Sequence, residues 1–244
     1  PARIRKTQAG LPVGDWRKNN LRGPATAAPA IADNLLIDGA RTDLAIEDLR
    51  RLGKKKEPFF LYVPLGSPHT PILPTPEWQG KSGLGKYGDF VMETENVVGE
   101  IQKALKRIDQ VENTLFIFSS DNGCSKAAGI GSLAQQGHKV SAHLRGSKAD
   151  LLDGGHRIPF IVKWPGNVKP GTESDQLICL TDFFATVSEI LGAKLPEGSA
   201  EDSVSFLPAL SGKKIVSTRN GVIHHSISGH FAYRQGPWKL LLAK

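Results

Sequence analysis

The amino-acid sequence predicts an α/β fold, in which helices cover both faces of a sheet and a small antiparallel β unit follows. Three short apolar runs predict buried strands: residues 59–63, "NTLFIFSS" and "RIPFIVKW". Amphipathic helices alternate with these runs, and continuous apolar strands are typical of sheets that are covered on both faces. The end of the chain contains only short strand-like runs, which indicate the separate antiparallel unit.

Three helices are predicted from the spacing of apolar residues. "TDLAIEDLRRLG" predicts a helix that Gly53 ends. Apolar residues at 90–108 recur at helical spacing, with lysines and glutamates between them. "TDFFATVSEILGAKL" predicts a capped helix from Thr181 to a terminating Gly192.

Two domains follow from this order of elements. We expect residues 1–200 to form an α/β domain that begins with a long surface segment, from Pro1 to about Ala32. Residues 201–244 are expected to form the small antiparallel subdomain. Its runs "GVIHHSI" and "HFAYRQGPWKLLL" predict strands, and the second is a hairpin that turns at Gln235 and Gly236.

Composition limits the possible classes of protein. The chain has 244 residues, of which 39% are hydrophobic, so it can bury a sizeable core and disorder is not expected. The formal charge of +7 favours an anionic partner but does not choose one. No apolar run reaches the roughly 20 residues of a membrane span. The chain starts at Pro1 and its single methionine is Met92, so we expect a processed or partial protein.

Asp121 and Asn122 directly follow the strand in "NTLFIFSS". Ligands of open α/β sheets collect beyond the carboxyl ends of strands, and a carboxylate beside an amide carbonyl suits Ca²⁺ or Mg²⁺. The alternative is that Asp-Asn-Gly only forms a tight turn.

His69 and Lys148 are candidates of the same kind. His69 follows a predicted strand between two prolines that would restrict its loop, and it would act as a general acid or anion donor. Lys148 precedes Gly154 and Gly155, where we expect a sharp turn into the third strand, and a lysine there would bind a tetrahedral oxyanion. Each has a plainer alternative, as a loop histidine and a solvent-facing lysine.

The remaining histidines and the two cysteines give weaker signals. The histidines show no metal-ligand spacing such as H-E-x-x-H. Two cysteines are too few for a disulfide framework, and their spacing leaves pairing open. The histidines in question are His138, His143, His224 and His225, and the cysteines are Cys124 and Cys179.

Five motifs, taken in order, resemble the formylglycine-dependent sulfatases, and "SDNGCS" and "GGHRIPF" are most similar to arylsulfatase and N-acetylgalactosamine-6-sulfatase types. The likeness runs from about Pro58 to Leu242. It implies an alkaline-phosphatase-like α/β fold and hydrolysis of sulfate esters of sugars or aryl alcohols. The five motifs are "FFLYVPLGSPHTP", "NTLFIFSSDNG", "LRGSKADLLDGGHRIPFIVKWPG", "EDSVSFLPALSG" and "AYRQGPWKLLL".

The resemblance also implies a role for each candidate residue. Asp121 and Asn122 match Ca²⁺ ligands, and Asp121 is also placed to touch the nucleophile. His69 matches the histidine that contacts the ester bridge oxygen, and Lys148 matches the lysine that binds the sulfate. The family suggests secretion or periplasmic export, which the chain itself does not indicate.

The nucleophile of the family is expected upstream of this chain. It is a cysteine in C-x-P-S-R or C-x-A-x-R that is oxidised to formylglycine, whereas Cys124 and Cys179 stand in "CSKAA" and "CLTDF". We therefore expect the chain alone to be inactive and to hold Ca²⁺ incompletely. We also expect an exposed sheet edge, which the missing N-terminal half or a partner would cover.

Two rival interpretations stay open. One is a two-metal phosphohydrolase of the same superfamily, although the Asp-His dipeptide that would favour it is absent from the sequence. The other is a noncatalytic module that binds sulfated or other anionic polymers. Nucleic acid is not expected as a partner, because basic and aromatic residues do not interleave into a binding platform.

Overall fold

The computed structural model describes residues 31–215 and 219–242. The predicted surface segment, from Pro1 to about Ala32, lies almost entirely outside these ranges. Among the helices, none is both long enough and apolar enough to cross a bilayer in the described ranges. The elements in chain order are α1 (Ile31–Leu52), α2 (Gly85–Arg107), β1 (Phe116–Ser119), a 3₁₀ turn (Lys126–Ala128), α3 (Ile130–Gln135), α4 (Asp153–His156), β2 (Phe160–Lys163), α5 (Asp182–Ile190), α6 (Leu207–Leu210), β3 (Val222–His225), β4 (Phe231–Gln235) and β5 (Trp238–Leu242).

Helices α1 and α2 pack against each other and form the main hydrophobic core. Leu49 of α1 is buried among Val97, Ile101 and Leu105 of α2, which recur at the spacing of one helix face. The prediction of a helix at 90–108 is confirmed. The helix predicted for α1 begins eleven residues later than the observed one. The reason is Gly39 in "LLIDGAR", which lowers helix propensity and obscures the helical pattern of the first turns.

The predicted strand at 59–63 is not a paired strand. Phe59, Leu61 and Val63 pack on the α1–α2 core, while Phe60 and Tyr62 point outward and are 71% and 75% exposed. This alternation is that of an extended strand with one buried face. No backbone hydrogen bond joins the segment to a neighbouring strand within the described ranges. The prediction is therefore wrong about pairing, since apolar alternation reports burial and not the presence of a partner strand.

Strands β1 and β2 pair with each other, and they do so in antiparallel register. Phe116 lies opposite Lys163, and Ser119 lies opposite Phe160. Phe116 packs on the α1–α2 core, whereas Phe160 lies on the other face and packs edge-on against Phe206, 5.2 Å away between ring centroids. Helical elements therefore pack on both faces of the pair, as predicted. The antiparallel direction places the end of β1 beside the start of β2.

Helix α5 is fixed by a buried ion pair rather than by its predicted cap. The Thr181 side chain makes no capping bond, but Gly192 ends the helix at a φ of 62° as predicted. Asp182 is 0% exposed, and Arg219 donates to both its oxygens, at 2.6 and 2.8 Å. The same carboxylate accepts the backbone N–H groups of Cys179 and Val204. One side chain thus ties three segments together.

Strands β3, β4 and β5 form a three-stranded antiparallel sheet, as predicted for the end of the chain. Its hairpin turns at Gly236 and Pro237, one residue later than predicted, because Gln235 still pairs with Trp238. The sheet docks through Arg234 and Lys239, which donate to Asp153 at 2.9 and 2.8 Å. The division between residues 1–200 and 201–244 stays a prediction.

We predict that Asp182→Asn lowers the free energy of unfolding by about 3 kcal/mol, because it removes the buried carboxylate that Arg219 and two backbone N–H groups bind. Burial raises the pKa of Asp182, but Arg219 and the N–H donors outweigh this and hold the pKa below its ordinary value. The pair therefore stabilises the fold above the unfolded-state pKa of about 3.9 and is lost as the pH falls through the native-state pKa. Urea unfolding at pH 7 and pH 3 measures both effects.

The matched control is Asp175→Asn, which removes the same charge from an exposed position. It should change the unfolding free energy by no more than about 0.5 kcal/mol. Equal losses in the two variants would contradict the role given to the buried pair.

Candidate active site

Asp121 and Asn122 lie in a turn at the end of β1. Asp121 is exposed and Asn122 is half-buried. The hydroxyl of Ser120 donates to the Asn122 carbonyl at 3.0 Å, and the N–H of Gly123 donates to the Gly155 carbonyl at 2.9 Å. The turn is thus attached to the backbone that leads into β2. Both side chains lie at the strand end, as the sequence predicts.

Gly123, Gly154 and Gly155 form a backbone contact too close for any side chain. A Cβ on Gly123 would overlap the carbonyl of Gly154, and a Cβ on Gly154 would overlap the carbonyl of Gly146. Gly154 and Gly155 lie in the single turn of α4. The expectation that they form a sharp turn is corrected: these glycines are required for close backbone approach.

Lys148 lies on the segment that is attached to the Asp121 turn. Its N–H donates to the Cys124 carbonyl at 2.8 Å. The neighbouring Ser147 is buried, and Asp150 accepts the N–H groups of Ser147 and Leu152 at 2.7 and 2.8 Å. Two backbone bonds, from Gly123 and from Lys148, therefore join the loops of three predicted site residues.

His69 lies in a turn that is fixed from α1 and α2. Its N–H donates to the Gly66 carbonyl at 3.1 Å, and its ring Nδ1 lies 2.7 Å from the carbonyl oxygen of Thr70. Because a carbonyl only accepts, Nδ1 carries the proton of this bond and Nε2 is the nitrogen left for other partners. Among the described residues, no hydrogen bond links this turn to the loops of Asp121 or Lys148.

Helix α2 supports both the His69 turn and the Asp121 turn. The hydroxyl of Thr94 donates to Ser67 Oγ at 2.8 Å, and Cys124 Sγ donates to the hydroxyl of Tyr87 at 3.3 Å. Tyr87 and Thr94 are seven residues apart, so they lie on one face of the helix, about 10 Å apart along its axis. The two turns are thus anchored side by side on a rigid element. The sequence analysis did not identify these supports.

Cys124 is a structural thiol in this arrangement. Burial raises the pKa of Cys124, and the bond to Tyr87 only partly opposes the rise. Burial also raises the pKa of Tyr87, so both groups stay protonated near pH 7. A protonated, half-buried thiol is a poor nucleophile. Both Cys124 and Cys179 are free thiols.

His224 and His156 stack on each other beside the Asp153 ion pairs. Their ring centroids are 4.1 Å apart, and His156 Nε2 lies 2.7 Å from the Asp150 carbonyl oxygen. Burial, followed by the charge of Lys239, lowers the pKa of His224 to about 4. The ring is therefore neutral near pH 7, and it serves to pack β3 against α4.

A comparison with known families matches this chain over most of its length. The family profile "Sulfatase" matches residues 8–193, and the profile "N-sulphoglucosamine sulphohydrolase, C-terminal" matches residues 147–241. The chain belongs to the sulfatase family. The resemblance drawn from the sequence motifs is confirmed, and residues 147–241 carry Lys148 and all of the C-terminal sheet of this sulfatase chain except Leu242.

Individual sulfatases show the same relationship. The chain is 37% identical over 190 residues to an N-acetylgalactosamine-6-O-sulfatase of Bacteroides thetaiotaomicron, and the match covers 77% of this chain and 37% of that protein. It is 34% identical over 171 residues to the N-acetylgalactosamine-6-sulfatase of Canis lupus familiaris. That match covers 70% of this chain and 32% of that protein. The chain therefore spans about a third of the length of these relatives.

A solved structure extends the comparison to the fold. A Bacteroides thetaiotaomicron structure, described with the metabolism of multiple glycosaminoglycans, superposes with a TM-score of 0.77 and 34% identity. The superposition covers 85% of this chain and 43% of that one. The α/β fold class predicted from the sequence is confirmed by this likeness.

The donor chemistry of the Asp121 turn fits a hard cation such as Ca²⁺. Asp121 offers an exposed carboxylate, and Asn122 offers an amide oxygen beside it. Ca²⁺ takes six to eight oxygen ligands. Within the ranges 31–215 and 219–242, no three His, Cys, Asp or Glu side chains gather into a metal site. Asp121 and Asn122 would therefore supply two oxygen donors to a cation bound at this turn.

We predict that Gly123→Ala lowers the free energy of unfolding by at least about 2 kcal/mol, because its Cβ would meet backbone that has no room to move. Hydrogen exchange at the amides of Gly123 and Lys148 should also become faster, since both bonds depend on this approach. Gly131→Ala in α3 is the control, because its Cβ meets nothing within 4 Å. Slow exchange at both amides in Gly123→Ala would show that the contact is not needed.

Proposed function

We propose that this chain supplies the leaving-group side and the sulfate-binding side of a sulfuric ester hydrolase. The observation that carries the proposal is the direct attachment of the Lys148 segment to the Asp121 turn, through Lys148 N–H to Cys124 and Gly123 N–H to Gly155. Together with family membership, this attachment supports one anion site built from Asp121, Asn122 and Lys148. The substrates would be sulfate esters of sugars or aryl alcohols.

Each residue would meet a separate demand of the reaction. Cleavage of a sulfate ester leaves negative charge on the nonbridging oxygens and on the alcohol oxygen that departs. Lys148 would neutralise the nonbridging oxygens. His69 would act as the imidazolium, with one proton on Nδ1 held by the Thr70 carbonyl and a second on Nε2 that it gives to the leaving oxygen. Asp121 and Asn122 would hold Ca²⁺, which supplies positive charge at the sulfate.

The attacking nucleophile would lie outside these 244 residues. Neither cysteine stands in a formylglycine motif, and Cys124 is protonated and bonded to Tyr87. The segment that carries the nucleophile would also cover the unpaired extended segment at 59–63, whose Phe60 and Tyr62 are exposed. The chain alone would then bind a sulfate ester without cleaving it.

A second candidate function is binding of anionic polymers without catalysis. The segment from Asn122 to Ala149 contains no acidic residue, and its basic side chains at Lys126, Lys139 and Arg145 are exposed. None of the three forms an ion pair in the described part of the chain. Two results would favour this function: the affinity for a sulfated polymer falls steeply with salt concentration, and the affinity is unchanged when His69 and Lys148 are replaced.

We predict that Lys148→Ala and His69→Ala each reduce turnover of a sugar 6-sulfate at least about tenfold, because each removes a charge or proton donor from the transition state. Turnover is measured in the chain joined to its nucleophile-bearing segment. Lys139→Ala removes an exposed lysine from the same loop region and should leave turnover unchanged. If both site variants retain full turnover, their assigned roles are wrong.

We also predict that turnover requires Ca²⁺ and that Asp121→Ala weakens Ca²⁺ binding at least about tenfold, because it removes a charged ligand. Titration calorimetry measures the affinity, and a chelator followed by Ca²⁺ should abolish and restore turnover. Asp109→Ala, an exposed aspartate at another loop, is the control. Turnover that persists in excess chelator would remove the metal from the mechanism.

A further inference from the structure

Asp38 of α1 binds the turn that carries His69. Its Oδ1 accepts the N–H of Gly66 at 2.7 Å, and its Oδ2 accepts the N–H of Ser67 at 2.6 Å. The side chain is only 12% exposed. Bonds from N–H groups to a carboxylate are shorter and roughly twice as strong as bonds between neutral groups. The start of the His69 turn is therefore held by a carboxylate that lies 28 residues earlier in the chain.

The geometry requires both oxygens of a carboxylate. Each oxygen of Asp38 accepts a different backbone N–H, and Arg41 Nη1 also donates to Oδ1 at 3.2 Å. An asparagine would offer a single acceptor, and its amide N–H₂ would face one of the two backbone N–H groups. Asp38→Asn thus keeps nearly the same shape, but it breaks one hydrogen bond and places the amide N–H₂ donor against a backbone N–H donor.

The bonds to Asp38 continue directly to His69. Gly66, whose N–H binds Asp38, supplies the carbonyl that accepts the N–H of His69 at 3.1 Å. Ser67 is held a second time, by Thr94 of α2 at 2.8 Å. Residues 66–69 are therefore one turn with its first half fixed from two helices, and His69 is its last residue.

We propose that Asp38 is a positioning residue that holds the His69 imidazole in place to protonate the leaving oxygen. The inference rests on the proposed function, in which the nucleophile from outside this chain forms a bond to sulfur and the S–O bond to the alcohol breaks. The alcohol oxygen then takes the Nε2 proton of the His69 imidazolium, which keeps its Nδ1 proton. Asp38 itself touches neither substrate nor metal. Replacing Asp38 is therefore expected to slow only those reactions in which the leaving oxygen must be protonated.

The dependence on the leaving group separates positioning from general stability. A 4-nitrophenolate leaves without protonation, whereas a sugar or alkyl alkoxide needs an acid. Loss of correct placement of His69 should therefore slow cleavage of a sugar sulfate much more than cleavage of 4-nitrophenyl sulfate. A general loss of folded protein would slow both equally.

The test compares Asp38→Asn with Asp48→Asn in the chain joined to its nucleophile-bearing segment. Both aspartates lie in α1 and pair with an arginine three residues later, but the Asp48 side chain is 43% exposed and accepts no loop N–H among the described residues. For Asp38→Asn we expect kcat to fall about tenfold or more on a sugar 6-sulfate and less than about threefold on 4-nitrophenyl sulfate. Asp48→Asn should change neither. Asp38→Glu, which keeps two oxygens, should recover part of the loss.

A second readout uses the 244-residue chain alone. Amide exchange at Gly66 and Ser67 should become at least about tenfold faster in Asp38→Asn and stay unchanged in Asp48→Asn. Ser67→Ala, which removes the hydroxyl bound by Thr94, provides a second variant in which the same leaving-group dependence is expected. If Asp38→Asn fails to fold, the Ser67→Ala variant tests whether the placement of the His69 turn controls the proton transfer.

The outcomes separate this inference from the proposed function. If His69→Ala shows the leaving-group dependence and neither Asp38→Asn nor Ser67→Ala does, the positioning role of Asp38 is overturned while the proposed function stands. If His69→Ala itself slows both esters equally or slows neither, the acid role of His69 falls, and this inference falls with it.

Discussion

The close approach of Gly123 to Gly154 and Gly155 is the contact on which the candidate site depends. It brings the end of β1 against the start of the segment that enters β2, and the antiparallel pairing of these strands makes that meeting possible. The Gly123 and Lys148 backbone bonds then attach the turn that carries Asp121 and Asn122 to the backbone of Lys148. A side chain at any of the three glycines would separate these groups.

Four buried or half-buried aspartates perform the same task around the molecule: each accepts backbone N–H groups from loops that no strand pairing fixes. Asp38 holds the His69 turn, Asp89 accepts from Gly80 and Ser82, Asp150 accepts from Ser147 and Leu152, and Asp182 accepts from Cys179 and Val204. These N–H bonds help to hold the pKa of Asp89 and of Asp182 below the ordinary value. The loops that Asp89 and Asp182 hold therefore rely on ionised carboxylates, and they lose this support as the pH falls through the lowered native-state pKa values.

What the sequence predicts well is what local spacing determines. The apolar repeat of α2 and the runs of β1 and β2 appear where predicted, and so do Asp121 and Asn122 at a strand end. Strand pairing depends on two segments that are distant in the chain. Local spacing therefore predicted neither the unpaired segment at 59–63 nor the antiparallel direction of β1 and β2. Asp38 was missed for a related reason. Its partners are backbone groups 28 residues away, and no sequence pattern marks a carboxylate that binds N–H groups across that distance.

The unpaired strand and the role of Asp38 belong to one argument. In a complete sheet, hydrogen bonds to neighbouring strands fix where a strand ends and where the next loop begins. The segment before His69 has its apolar face packed on α1 and α2 but forms no such bonds within the described ranges, so packing alone leaves the ends of the strand loosely determined. Asp38 and Thr94 supply the missing constraint from the two helices on which that face packs. An acid that must meet a leaving oxygen tolerates only displacements well below 1 Å. Hydrogen bonds from two rigid helices can hold the His69 turn within that limit.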